Sequence, residues 1–217
     1  MVDKLNLWIF GDSFSAPFYH EKNKSWSKAY SKYLGYYPSC FGELLAKELN
    51  MNLKNHAEPG IGNESIIDRI ILNLNNIKED DIVIIGWSSP TRWRYVENNE
   101  WCDVVSPDDE SKTLKEDTIK DISINRTDLL YESELCNRVE LINKALGSSN
   151  KRFVYHWIWY AINQYNLIHR IRGERIKDET KGELDDNHFS AKSHKIMVKK
   201  IIKEFERWKS ENESNPL

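Results

Sequence analysis

The chain has 217 residues, 40% of them hydrophobic and 30% charged, with a formal net charge of −3 at pH 7. At this length one α/β domain suffices, and folding hides about 70% of the unfolded surface, so a core needs neither a metal nor a disulfide staple. Lys and Arg are scattered, which excludes the massed cations that a nucleic-acid partner demands.

Leu5 to Phe10 is a short apolar run ending on Gly11, as in a buried strand. Residues 14–37 are loop-like and aromatic-rich. Phe41, Leu44, Leu45 and Leu49 recur at three- and four-residue spacing, which predicts a helix over 38–49. Met51 to Ala57 reads as a weaker strand, stopped by Pro59-Gly60. Ser65 to Ile77 is an amphipathic helix with Ile66, Ile67, Ile70, Ile71 and Leu74 on one face. Asp81 to Ser88 is continuously apolar and β-branched, the composition of a central parallel strand.

Residues 93–128 are acidic and polar, and Pro107-Asp108-Asp109-Glu110 at their middle reads as a solvated loop, not a metal site. Glu132 to Leu146 is the next predicted helix and Arg152 to Trp159 the next strand. Residues 160–184 are mixed, and Ala191 to Trp208 is a final helix with Ile196, Met197, Ile201, Ile202 and Phe205 facing inward. Strands alternating with helices predict a three-layer α/β/α sandwich around a mostly parallel sheet. One domain over 1–210 is expected, with insertions at 14–37, 93–128 and 160–184 and a polar tail at 211–217.

The three cysteines, Cys40, Cys102 and Cys136, lie far apart without a C-x-x-C, which predicts reduced thiols and no zinc site. The apolar run at the N-terminus is too short for a signal peptide, and no run approaches the length of a membrane span. Cytoplasmic residence is the default expectation, and release with a virion or phage would look the same.

Two blocks carry chemistry. Gly11-Asp12-Ser13-Phe14-Ser15 directly follows the first strand, where open α/β sheets bind ligands. Alone it is equally a turn in which Asp12 or Ser13 caps the next element. Leu184-Asp185-Asp186-Asn187-His188-Phe189-Ser190 precedes the final helix. A serine nucleophile needs a base whose ring is fixed by an acceptor on its other nitrogen. Asp185, three residues before His188, can fold onto Nδ1 and leave Nε2 for Ser13. Asp186 is less suited and is expected to stay solvated or to cap the loop. Alone, His188 also fits a loop histidine near a helix start, with Ser190 as N-cap.

Together these blocks resemble the SGNH/GDSL hydrolase family. Gly11-Asp12-Ser13 matches its opening block, and Gly60 within Asn55 to Asn63 matches its second. Asp185 and His188 match its closing Asp-x-x-His, with His194 assigned to the helix that follows. The third block departs: Gly86-Trp87-Ser88 has Ser88 where the family has an Asn that donates to the oxyanion. The Ser88 hydroxyl, the Asn63 amide or the Arg92 cation are conceivable substitutes beside the N–H groups of Ser13 and Gly60.

The resemblance implies a flavodoxin-like sheet and a serine esterase without cofactor or metal. Ser13 is then the nucleophile, His188 the base and Asp185 its orienter. Asp12, Trp87 and Arg92 are candidates for holding substrate, Asp12 also for holding the turn. Aromatic residues crowd residues 14–37, and five tryptophans (Trp87, Trp93, Trp101, Trp157 and Trp159) add more. Such rings suit sugar faces or ordinary packing. The expected substrate is a small-molecule or glycan ester, foremost an O-acetyl or other short acyl group on a carbohydrate, with neither nucleic acid nor membrane as partner. Two rivals are a catalytically weak glycan-binding module and a metal-dependent phosphohydrolase using Asp12, Asp185, Asp186 and His188.

Overall fold

Alternate residues of the first strand, β1 (Asn6–Gly11), enter two different cores, and this organises the molecule. The computed structural model describes residues 4–22, 25–90, 92–97, 100–104, 128–147, 152–159 and 167–213. Leu7 and Ile9 join Ile82, Ile84, Tyr155 and Trp157 on one face of the sheet, under helices α2 (Phe41–Glu48) and α6 (Ala191–Glu213). Trp8 and Phe10 join Val83, Ile85 and Ile158 on the other, under α3 (Asn63–Asn73) and α4 (Asp128–Ala145). A strand buried on both faces cannot alternate polar and apolar residues, which is why β3 (Ile82–Trp87) is apolar throughout.

The remaining strands of this sheet are β2 (Asn52–Asn55), β6 (Val154–Ile158) and β7 (His169–Arg170). The order is β2-β1-β3-β6-β7, with every pairing parallel. This is the flavodoxin-like order in a three-layer α/β/α sandwich, as the alternation of elements predicts. Register sets Gly11 opposite Gly86, and Gly86 opposite Trp157. A Cβ at Gly86 would lie 2.4 Å from Ser15 Oγ and 2.8 Å from the Trp157 ring. Glycine at that strand end therefore lets the turn after β1 close down over β3.

The opposite end of the sheet is pinned by Asp81. Its carboxylate accepts from Trp8 Nε1 at 2.8 Å, Asn6 N at 2.9 Å and Lys78 N at 3.0 Å. Burial pushes this carboxyl up, but the hydrogen bonds from Trp8, Asn6 and Lys78 outweigh it and hold it below its usual range. Both borders of the sheet are short. β2 has four residues and alternates exposed with half-buried positions, and β7 has two.

Several elements lie where the sequence reads as loop. Helix α1 (Ser25–Leu34) falls within 14–37. An antiparallel hairpin, β4 (Trp93–Glu97) with β5 (Glu100–Val104), opens the 93–128 insertion, whose acidic middle lies outside the described residues. β7 and the short α5 (Ile176–Glu179) occupy part of 160–184. The final helix runs to Glu213, past the expected start of the tail. Two residues assigned to apolar faces point outward: Ile71 is 53% exposed and Ile196 is 40% exposed. Each follows or precedes a buried neighbour, Ile70 or Met197, and one residue turns a helix by about 100°. Among the described residues no helix is long and apolar enough to cross a membrane.

Candidate active site

Ser13 stands just beyond the carboxyl end of β1. The Asp12 carbonyl accepts from Ser15 N at 2.9 Å and Ala16 N at 3.1 Å, and Asp12 Oδ1 accepts from Phe14 N at 3.0 Å. These bonds turn the chain sharply at Ser13. His188 comes from the loop before α6. Its carbonyl accepts from Ile176 N at 2.9 Å, and that of Asp186 accepts from Lys177 N at 3.0 Å, which fixes the loop against the start of α5. The two ends of the chain meet here: His188 Nε2 lies 2.8 Å from Ser13 Oγ.

The carboxylate on the other ring nitrogen belongs to Asp186, not to Asp185. Asp186 Oδ1 lies 2.8 Å from His188 Nδ1 and accepts from His188 N at 2.8 Å, while Asp185 is exposed. A side-chain oxygen bonded to the N–H two residues on forms an Asx turn. That turn carries the Asp186 carboxylate onto the ring, so the two-residue spacing works where three had been expected. Burial pushes the Asp186 carboxyl up, but the hydrogen bonds and charge of His188 outweigh it and hold it below the usual carboxylate range. With Asp186 ionised, Nδ1 carries the proton and Nε2 is left to accept from Ser13.

Aromatic rings lie against the imidazole. Trp26 of α1 stacks at 4.0 Å with an interplanar angle of 6°, and Phe14 stacks at 4.8 Å. Phe14 in turn stacks on Trp159 at 4.5 Å. The sequence shows these residues only as part of an aromatic crowd, and the individual partners were not foreseen.

Asp12, Ser88 and Arg92 form one polar cluster behind Ser13. Asp12 is 1% exposed, and its Oδ2 accepts from Ser88 Oγ at 2.9 Å, Trp159 Nε1 at 3.1 Å and Arg92 Nη1 at 3.2 Å. It is enclosed by its own protein, which corrects its expected role in holding substrate. Its oxygens are filled by N–H and O–H donors, where a hard metal ion needs open ones. Trp87 is also corrected. It is fully buried in the α3/α4 core and donates to His156 Nδ1 at 3.1 Å, because the strand's side-chain alternation continues past Gly86.

Of the three side chains expected to replace the family's Asn, Arg92 belongs to the cluster just described, and neither Ser88 nor Asn63 points its donor into the site. The Ser88 hydroxyl donates to Asp12. Asn63 is fully buried, accepts from Ser88 N at 2.8 Å, and donates to the carbonyls of Ser88 at 3.3 Å and Ser89 at 3.5 Å. It staples the loop after β3 to the start of α3. The N–H groups of Ser13 and Gly60 make no hydrogen bond among the described residues. Gly60 sits at φ +86°, a left-handed turn conformation that favours glycine. Its loop is secured nearby by Glu58, which pairs with both Lys22 and Arg69.

No family model matches the sequence, and no curated protein matches it. Solved structures do resemble it. One is a family two carbohydrate esterase from Clostridium thermocellum in complex with cellohexaose, at 13% identity and a TM-score of 0.48, covering 94% of this chain and 65% of that one. Another is a carbohydrate esterase whose active site displays divergent catalytic and non-catalytic binding functions, at 14% identity and a TM-score of 0.44, covering 94% and 69%. A third, assigned to the SGNH hydrolases, comes from Slackia heliotrinireducens, at 10% identity and a TM-score of 0.29, covering 97% and 76%. This chain therefore spans slightly less than two thirds of the first of them.

Proposed function

We propose that the protein is a serine esterase of the SGNH/GDSL type that removes a short acyl group, foremost acetyl, from a carbohydrate. The observation that carries this reading is the relay Ser13 Oγ to His188 Nε2, and His188 Nδ1 to Asp186 Oδ1, each at 2.8 Å. A hydroxyl, a base and an orienting carboxylate in that order are what acyl transfer to serine requires.

In this mechanism Ser13 attacks the ester carbonyl as His188 takes its proton. Asp186 stabilises the imidazolium and keeps the ring in one tautomer. The tetrahedral oxyanion is held by the N–H groups of Ser13 and Gly60. His188 passes the proton to the leaving alcohol, and water, again deprotonated by His188, releases the acid. A carbohydrate alcohol is supported by tyrosines left in solvent around α1: Tyr19, Tyr33, Tyr36 and Tyr37 are 45–61% exposed.

The test combines p-nitrophenyl acetate, a panel of acetylated oligosaccharides and a fluorophosphonate probe. The wild type should turn over the esters and label at Ser13, and Ser13→Ala should do neither while keeping its fold. Hydrolysis that survives Ser13→Ala would sink the proposal. A second reading, a glycan-binding module that does not cut, is motivated by the commitment of Ser88 and Asn63 to other partners. It predicts oligosaccharide binding with neither labelling nor turnover.

A further inference from the structure

An oxyanion hole works by donors fixed before the charge arrives, so two backbone N–H groups on separate loops must be held in register with each other. The loops after β1, β2 and β3 meet at one atom, Arg92 Nη1. It donates to Ser88 Oγ at 2.9 Å, to Asp12 Oδ2 at 3.2 Å and to the Ile61 carbonyl at 3.4 Å. Asp12 immediately precedes Ser13, and Ile61 immediately follows Gly60. The guanidinium is itself enclosed, at 11% side-chain exposure, beside an Asp12 side chain at 1%. Its own backbone is set by the bond from Arg92 N to the Ser89 carbonyl at 3.1 Å.

We propose that Arg92 is the positioning residue of the oxyanion hole: it clamps the Ser13 turn to the Gly60 loop so that their two N–H groups act as one site. The chain thus replaces a third side-chain donor with a brace on the two backbone donors. Arg92 acts through Asp12 and Ile61 and needs no contact with substrate. The inference rests on the serine esterase reading, and its test separates the two.

Phenylboronic acid is the probe. Its trigonal boron bonds Ser13 Oγ, the serine proton passes to His188, and no bond to boron is broken. The tetrahedral anion that results reports the hole, whereas KM for p-nitrophenyl acetate reports binding of a planar ester. Boronate affinity, kcat and KM are measured for the wild type, Arg92→Gln, Arg92→Lys and Ser13→Ala, with thermal melting of each. Arg92→Gln should weaken boronate binding and lower kcat by about 10²-fold or more, on the scale of losing one oxyanion contact, with KM within about threefold. Arg92→Lys keeps the charge but shortens the reach, and should fall between the two. It also carries the test if Arg92→Gln does not fold. Boronate affinity within threefold of wild type in folded Arg92→Gln, or in Arg92→Lys where Arg92→Gln does not fold, overturns the inference alone, as does an equal loss in boronate binding and KM. A wild type that binds boronate no better than Ser13→Ala overturns the esterase reading, and this inference with it.

Discussion

The carboxylate of Asp186 does two things at once: it closes the turn before His188 and holds the ring's proton on Nδ1. Asp186→Asn should keep much of the turn, because its amide oxygen still accepts, but it loses the negative charge that favours a proton on Nδ1 and an imidazolium beside it. We expect kcat to fall about 10²- to 10⁴-fold, whereas Asp185→Asn, an exposed position, should stay within about twofold of wild type. Steady-state kinetics of the two variants side by side decide between the carboxylates. The meeting of Ser13 with His188 was legible because their two blocks, each ambiguous alone, together resemble one family pattern. The choice of carboxylate was not, since spacings of two and three differ only by the turn that forms between them. Arg92 was visible as a cation near the site, but its three acceptors come from three loops that no local pattern brings together.

Helix α1 shows what an insertion contributes when it folds. Ten residues make a marginal helix alone, so tertiary bonds must hold it. Ser27 Oγ donates to the Phe18 carbonyl, and Tyr30 Oη donates to Glu179 and accepts from Ala191 N at 2.8 Å. This docking puts the Trp26 indole on the imidazole of His188. A cation facing an aromatic ring gains about 0.5–2 kcal/mol, so an imidazolium at His188 is favoured. Trp26→Leu should therefore lower kcat by about 3- to 30-fold, with Trp26→Phe recovering most of it, and circular dichroism should find both folded. Long apolar elements such as β3 and α3 were readable because burial on a full face leaves a strong period. In α1 the period exists, with Trp26, Tyr30 and Leu34 at i, i+4 and i+8, but serines and lysines fill the gaps and dilute it. The β4–β5 hairpin carried no turn signal of the two-residue glycine kind.

Across the whole molecule, the two cores each enclose a neutral histidine. His156, between Trp87 and Asn143, and His194, which accepts from Phe41 N at 3.1 Å, are both lowered to about 3 by burial, aided by the nearby His169 and His188 respectively. An unfolded histidine takes its proton near 6.5, so between about 6.5 and 3 the unfolded chain binds more protons than the folded one. Stability therefore rises with pH across that window and is lost on acidification, by up to about 1.4 kcal/mol per pH unit for each histidine. Urea unfolding at pH 7, 5.5 and 4 should give a falling midpoint, and His194→Gln, which keeps an acceptor for Phe41, should flatten the fall. The α/β/α architecture was legible from the alternation of elements alone, but which histidines lie inside it was not, because a buried neutral histidine and an exposed one look alike in sequence. The short borders of the sheet bear on a different property. One is the four residues of β2, with Asn52, Lys54 and Asn55, and the other is the two residues of β7. A strand added from another molecule needs a long, straight row of open backbone groups, and polar, abbreviated borders deny it that row. Among the described residues, the central sheet gives self-templated β aggregation no edge on which to start.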